Sequence, residues 1–488
     1  MSSDAPSDAP SVDQSTLSDG VPPAAPMVGE ISFSQREVRK QRGKDLRQLC
    51  PRSSHTTLDL DPMRDPIALL EESNCDRLKQ LLPVRFTRML ESPFAFFRGT
   101  AGLQAYDLLK TPTTGISVQC CGDCHLMNFG GFATPERTLI FDINDFDETH
   151  PGPFEWDIKR LATSFVLAAR WLRYKKSEAR DAVGQMVKWY REGMAQFAEM
   201  SVLETWYARI TYEGILESVA DNPVLAKHVK KQVAKAQVNT SEHVYEKLTR
   251  EVNGKPQIAL SPPLLFRPED HDQIMQEHVV PFFEKYRATL SGERQMLFDR
   301  YQLVDFAYKV VGVGSVGTRC FIVLFIGNQD DPLFLQVKEA RRSVLAGRYD
   351  ATPHDHDGER VVTGQRLMQS ASDIFLGWTD GPKGRSYYVR QLRDMKVAPD
   401  LRNATPEILA GLAGLCGRTL ARAHAKTGDA ATIAGYLGGG TSFDEAITEY
   451  AEAYADQVER DFETFQMATR TGRLPVETIP GDVEETIR

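Results

Sequence analysis

A mixed α+β chain, helical at both ends with a β-rich stretch between, is predicted by three observations. Segments 64–110, 155–250 and 405–470 carry apolar residues at three- and four-residue spacing, the period of an amphipathic helix. Between them, residues 304–396 contain runs rich in Val, Ile, Phe and Tyr, bounded by Gly, Asp and Pro, which is the composition of strands. At 488 residues the chain is also too long for one ordinary core, which points to two or three domains. Its composition, 41% hydrophobic and 26% charged, is that of a globular protein. Lys plus Arg (58) against Asp plus Glu (67) leaves a net charge of -9, which argues against nucleic acid or an anionic membrane as the main partner. The longest clear apolar run, Phe321 to Ile326, is strand-sized and far short of the ~18 residues of a membrane span. No basic, apolar leader opens the chain, and seven cysteines are too few for a disulfide scaffold, so a reducing, cytoplasmic location is expected.

Taken in order, residues 1–30 are rich in Ser, Pro, Ala and Asp without Lys or Arg and read as a disordered acidic tail. Arg36, Arg39, Lys40, Arg42, Lys44, Arg47 and Arg52 then crowd a short stretch, better explained as a solvated helix face than as a phosphate-binding surface. PIALLEE and DRLKQLLPVRFTRML give the first helices. The polar break TPTTG precedes a short strand, ISVQCC, and a loop leads to a second, TLIFDIN. Helix follows from DIKRLATSFVLAARWL to about residue 250, and 253–272 is Pro-rich and irregular. In the β-rich stretch, ERVVTGQRLMQSA reads as a helix among strands. The C-terminal helices break at YLGGGTS, and residues 471–488 are expected to be a flexible tail.

The densest constellation is Cys121-Gly122-Asp123-Cys124-His125-Leu126-Met127-Asn128. As C-x-x-C-H it matches a haem-attachment signature, but without an export signal, and a zinc reading lacks a second ligand pair. HDHD at 354–357 is better read as a polar loop than as a metal cluster. The carboxylate and amide carry more. Asp123 and Asn128 lie in a loop after a strand, and Asp142, Asp145, Asp147 and Glu148 cluster at the end of the next one. Mg²⁺ needs a few oxygen ligands and keeps several waters, so a hairpin returning an Asp beside an Asn provides such a site. Asp142 and Asn144 share one face of that strand, and Asp145, at its end, is the preferred ligand together with Asn128. Asp123 is then free to accept a proton from a substrate hydroxyl.

A second constellation is Gly312-Val313-Gly314-Ser315-Val316-Gly317, lying between two strand-like runs. A dinucleotide fold would need a helix after these glycines, whereas a strand follows, as in a glycine-rich hairpin covering phosphates. That arrangement demands a lysine on the next strand, supplied by Lys338 in LFLQVKEA, and then a helix with an acidic partner, for which Glu359 is chosen. YYVRQLRDMK fits the strand leading to a hinge, where the backbone of Gln391, Leu392 and Arg393 would meet adenine.

CGDCHLMN followed by IFDINDFDE resembles the motifs of the aminoglycoside and choline kinase branch of the protein-kinase-like fold. From about residue 36 to 470 the chain is also similar to the bacterial family catalogued as domain of unknown function 2252, through SPFAFFRG, CGDCHLMNFGGFA, FDINDFDETHPGPFEWD and QRLMQSASDIFLGW. The kinase resemblance implies Asp123 as catalytic base, Asn128 and Asp145 as Mg²⁺ ligands, and Lys338 as the phosphate-pairing lysine. Gly312, Gly314, Ser315 and Gly317 would form the nucleotide lid, and Asp157 would have a structural role at the opening of the following helix. Cys121 stands where those kinases usually have His. The order of the motifs also differs, because the catalytic loop precedes the glycine-rich loop by about 190 residues. Circular permutation accounts for this order. A nucleotide-binding small lobe, 304–396, then sits within a large lobe built from 31–303, which carries the catalytic loop and metal-binding strand, and from the helices of 397–470. The expected protein is an ATP- and Mg²⁺-dependent phosphotransferase acting on a small hydroxyl- or amine-bearing acceptor. The alternatives are a nucleotide-binding pseudokinase with a regulatory role and an enzyme that transfers AMP to a protein.

Overall fold

The computed structural model describes residues 35–238, 241–328, 331–348, 354–392 and 395–477. The expected tail at 1–30 and most of that at 471–488 lie outside these residues. Helices α1 (Arg36–Leu49), α2 (Pro66–Ser73), α3 (Leu82–Met89), α4 (Pro93–Gly99) and α5 (Ala101–Leu108) precede strands β1 (Ser117–Cys120), β2 (Phe129–Ala133), β3 (Leu139–Ile143) and β4 (His150–Pro153). Next come α6 (Phe154–Trp171), α7 (Lys176–Glu199), α8 (Val202–Tyr207), α9 (Tyr212–Ser218), α10 (Pro223–Val238) and α11 (Ser241–Leu248). Strands β5 (Thr249–Val252), β6 (Lys255–Ile258) and β7 (Leu265–Phe266) lead to α12 (His271–Ile274), α13 (Val280–Ala288) and α14 (Gly292–Phe298). Then follow β8 (Tyr301–Lys309), β9 (Cys320–Gly327), β10 (Pro332–Glu339), α15 (Asp357–Met368), β11 (Gly377–Asp380) and β12 (Ser386–Gln391). Helices α16 (Pro406–Thr427), α17 (Ala430–Leu437) and α18 (Ser442–Arg470) close the described chain. The fold is α+β. Local chemistry sets several helix starts: Asp65, Ser92 and Thr405 each accept backbone N–H bonds as N-caps, and each is followed by a proline in the first turn.

The largest sheet has six antiparallel strands in the order β11-β12-β10-β9-β8-β7. Both of its faces are covered, which explains the unbroken run Phe321–Ile326. Phe321, Val323 and Phe325 of β9, with Leu335 and Val337 of β10, pack against Phe282, Phe283, Tyr286 and Phe298 of α13 and α14. Ile322 and Leu324 face the other way, onto Ile258, Leu265, Phe334 and Leu392, with Leu248 beside them. The hairpin β5–β6 therefore packs on this sheet and β7 joins it, ahead of the β-rich stretch at 304–396. The helical stretch ends at Leu248, near the expected 250, and the expectation of irregular chain at 253–272 is corrected by the hairpin β5–β6. Its turn, Asn253-Gly254, has positive φ at both residues, the geometry Asn-Gly favours in a tight hairpin.

The helical remainder shares one hydrophobic core, in which α6, α7, α16 and α18 bury their apolar faces around Phe154, Leu161, Tyr190, Leu420 and Phe465. The two ends of the chain meet within it. Arg64 pairs with Asp107 at 2.6 Å and with Asp461 at 2.6 Å, all three buried. The basic helix α1 is not simply a solvated face. Arg39 pairs with Asp429, and Arg47 and Arg52 donate to the carbonyls of Gly435, Tyr436 and Leu437 at the end of α17. Such a cation–helix C-terminus pairing satisfies carbonyls that have no partner within the helix. α1 and α17 touch backbone to backbone at glycines: a Cβ on Gly435 would lie 2.1 Å from the Lys40 carbonyl oxygen. No described helix is long and apolar enough to cross a membrane.

Candidate functional site

Strand β1 pairs with β4, not with β3, and the hairpin that carries the acidic cluster is β2–β3. The short, glycine-bearing FGGFA of β2 escapes a reading based on β-branched composition. Its register, Phe129 opposite Ile143, sets Asn128 against Asn144, and the Asn144 N–H donates to the Asn128 carbonyl at 2.7 Å. The catalytic-loop candidate and the acidic turn are thereby locked together. Asp142 is a structural residue: it is buried, paired with Arg422 at 2.6 Å, and accepts from the Ser370 backbone and hydroxyl.

The loop after β1 is held from below by α6. Asp157 accepts from the backbone N–H of Cys121 (2.6 Å) and of Gly122 (3.0 Å), and the imidazole of His424, itself bonded to Tyr190, lies 3.2 Å from the same carboxylate. Gly122 has φ +83°, and a Cβ there would lie 2.1 Å from the Glu148 carbonyl, so no other residue fits. Asp123 accepts from Arg160 at 2.8 Å, and Arg160 lies over the Phe97 ring with its centre at 3.9 Å. The Asn128 amide nitrogen donates to the Asp123 carbonyl at 2.6 Å, leaving its oxygen as the atom available to a cation. Cys121, Cys124 and His125 are buried, and burial raises both thiols and lowers the imidazole to about 4, environments that do not favour thiolate chemistry.

Lys338, on the third strand counted from the glycine-rich hairpin, is buried, and its ammonium lies 2.5 Å from Asp147 and 3.5 Å from Asp145. Burial alone would lower the lysine, but these two carboxylates outweigh it and hold the ammonium charged. Burial likewise works to raise Asp145, and the charges of Lys338 and Arg390 override it and keep the carboxyl well below its usual range. Asp147 also accepts from Tyr388 at 2.5 Å and from Ser315 at 3.4 Å, so one carboxylate joins the lysine strand, β12 and the glycine-rich loop. The acid that meets Lys338 is therefore Asp147, not Glu359. Glu359 lies in the first turn of α15, where its carboxylate faces His354 at 3.8 Å. What α15 contributes is Arg360, which donates to the carbonyls of Asp147, Thr149 and Arg341.

Asp123, Asn128, Asp145, Gly312, Gly314 and Ser315 line one cavity of about 570 Å³. Gly317 stands just behind its wall, with φ +89° and the Arg77 side chain where a Cβ would point. The glycine-rich loop is not a free flap. Arg85 donates to the carbonyls of Val313 (2.8 Å) and Gly314 (2.7 Å), Arg88 to Gly312 (2.5 Å) and Arg77 to Val316 (2.6 Å), and the Leu78 N–H reaches Gly317. These arginines, invisible as a motif, come from α3 and the turn before it. The expected hinge does not face the cavity. The Gln391 N–H donates to Asp373, the Leu392 N–H donates to Phe334 while its side chain is packed in the core, and both residues line a separate cleft. Arg393 lies outside the described residues.

Glu148, on the cavity wall, accepts from the Val344 N–H at 2.7 Å and is pushed by burial up to about 7. Because its folded value lies above the ordinary 4.5, the folded chain holds more protons than the unfolded one between about pH 4.5 and 7, and stability falls as pH rises through that window. Glu148→Gln removes this dependence. The melting-temperature difference, variant minus wild type, is expected to be more positive at pH 8 than at pH 5.

The family model described as "Uncharacterized protein conserved in bacteria (DUF2252)" matches residues 77–468, and the chain belongs to that family. No curated protein and no solved structure matches it.

Proposed function

We propose that this member of the family is an ATP- and Mg²⁺-dependent phosphotransferase with a circularly permuted protein-kinase-like architecture. One observation carries the reading: residues from two distant stretches of chain, Gly312 and Gly314 on one side and Asp123, Asn128 and Asp145 on the other, line a single cavity, and Lys338, buried beside it, reaches Asp145 and Asp147 of its wall. The order of parts around the sheet supports it as well. A hairpin (β8–β9) closed by the glycines, a lysine on the third strand (β10) and a helix (α15) before the last two strands is the sequence of parts in a kinase small lobe.

The donors fit a hard cation that brings its own phosphates. Among the described residues no group of three or more His, Cys, Asp or Glu stands ready to cage a metal. A carboxylate (Asp145) and an amide oxygen (Asn128) are what Mg²⁺ takes from protein when water and phosphate fill the remaining positions. Bound there, it would neutralise the charge of the transferred phosphoryl group. Lys338 would leave its pairing with Asp147 to hold nucleotide phosphate. Asp123, fixed through one oxygen by Arg160, would take the acceptor's proton. The acceptor oxygen forms its bond to the γ-phosphorus as the bond to the β–γ bridging oxygen breaks, and ADP leaves.

The test is ATP turnover by the full chain in a small-metabolite extract, followed by mass analysis of the acceptor. Wild type is expected to add one phosphoryl group to a metabolite. Lys338→Met is expected to lower kcat/KM for ATP by roughly 30-fold or more, the cost of one charge-assisted phosphate contact. Unchanged kcat and KM in that variant would sink the proposal. AMP on a protein acceptor would replace it with nucleotidyl transfer.

A further inference from the structure

One side of the cavity wall, here called the arm, carries none of the phosphoryl-transfer residues. Four arginines stand in it. Arg77, Arg341, Arg342 and Arg348 line it, drawn from the turn before α3 and from the segment between β10 and α15. Each of these guanidiniums has five N–H donors. Arg77 uses two contacts on the carbonyls of Val316 and Ser73, Arg341 one on Ser73 and Arg348 one on Val344. Among the described residues none of the four has a carboxylate at ion-pair distance. Elsewhere around the same strands the chain does neutralise its arginines: Glu339 pairs with both Arg319 and Arg385, and Asp357 with Arg360. Arg77 is pushed down to about 10, first by burial and then by the neighbouring charge of Arg341, against the opposing pull of Glu148, Asp147 and Glu339. A chain of net charge -9 thus places four arginines, none in an ion pair with a described residue, on the wall of a cavity that also carries the acidic turn.

The arm is also built into the transfer site. The Ser343 hydroxyl donates to the Glu148 carbonyl at 2.8 Å and the Val344 N–H to the Glu148 carboxylate, so the basic segment is tied to the turn that presents Asp145. We propose that the arm walled by Arg77, Arg341, Arg342 and Arg348 is a subsite for a phosphate-type oxyanion. That group is carried either by the acceptor, which would then be a phosphorylated small molecule, or by the nucleotide's own phosphate tail. The inference rests on the phosphotransferase reading for its place in a reaction, but the anion site itself does not.

Titration calorimetry on the full chain with inorganic phosphate, with ATP and Mg²⁺, and with phosphate in the presence of saturating ADP and Mg²⁺ tests it. Wild type is expected to bind phosphate. Arg342→Gln is expected to weaken that binding about threefold, and the double variant Arg341→Gln/Arg342→Gln tenfold or more. Arg342 is exposed and its side chain makes no hydrogen bond to another of the described residues, so the single variant remains folded even if the double does not. Phosphate binding that persists with ADP present assigns the group to the acceptor, and phosphate displaced by ADP assigns it to the nucleotide. Absence of phosphate binding by wild type, or equal binding by the single and double variants and wild type, overturns the proposal. ATP failing to bind while phosphate binding responds to the variants would sink the phosphotransferase reading and leave the anion site standing.

Discussion

Asp123→Asn is expected to reduce ATP-dependent turnover by at least ~10²-fold, the usual contribution of a positioned general base, with nucleotide affinity within a few-fold of wild type. The carboxylate is committed on one side, where Arg160 donates to Oδ1 at 2.8 Å; its other oxygen lies 3.8 Å from the His125 ring, and the residue lines the cavity. An amide oxygen in the same position still accepts from Arg160, and the loop is held through backbone groups: Asp157 grips Cys121 and Gly122, and Asn128 donates to the carbonyl of residue 123. The substitution therefore removes proton acceptance without removing what shapes the loop. Turnover and calorimetric ATP binding measured on one preparation separate the outcomes. Loss of both would make Asp123 a ligand-binding or folding residue. Undiminished turnover would remove it as the base.

Why Asp123 and its neighbours are legible in the sequence, and the clamp around them is not, comes down to range. Asp123, Asn128 and Asp145 sit in short loops at strand ends, where spacing alone fixes their mutual placement once the hairpin register is known. Lys338 is legible because strand alternation puts it on the face of Phe334 and Gln336. Partners that cross the fold carry no such signal. Asp147 lies two residues from Asp145 and was visible only as part of an acidic cluster; what makes it the partner of Lys338, some 190 residues away, is the packing of β10 over the turn. Glu359 had the expected position after the lysine strand but not the direction, because α15 turns its first-turn acids outward and Arg360 inward. The hinge expectation failed for a related reason. Nothing local in YYVRQL tells that Asp373 and Phe334 take its N–H groups. The basic helix at 36–49 read as a solvated face because its acceptors, the last carbonyls of α17, lie nearly 400 residues downstream.

Arg85 carries the second large effect. Its guanidinium is fully buried, and among the described residues no carboxylate lies at ion-pair distance; it donates instead to the carbonyls of Val313, Gly314 and Gly99 at 2.6–2.8 Å. Burial without a counter-charge lowers its proton affinity, and charge-assisted bonds to three carbonyls offset that penalty. Arg85→Ala relieves the buried charge but leaves a cavity and takes the charged donor from those carbonyls, for a net loss of about 2–4 kcal/mol. A fall of several degrees in melting temperature is expected. Arg85→Lys restores the charge without the planar fork that reaches both loop carbonyls, so it is expected to recover little. The functional signature is sharper than the thermal one. With Val313 and Gly314 released, the loop that lines the cavity loses the contacts that fix it before nucleotide arrives, and part of the binding energy must go into ordering it. KM for ATP is therefore expected to rise tenfold or more, while kcat at saturating ATP falls less. A fall in kcat with unchanged KM would mean that the clamp serves the chemical step rather than nucleotide capture. Unchanged stability and kinetics would show that Arg88, Arg77 and the Leu78 N–H hold the loop without it.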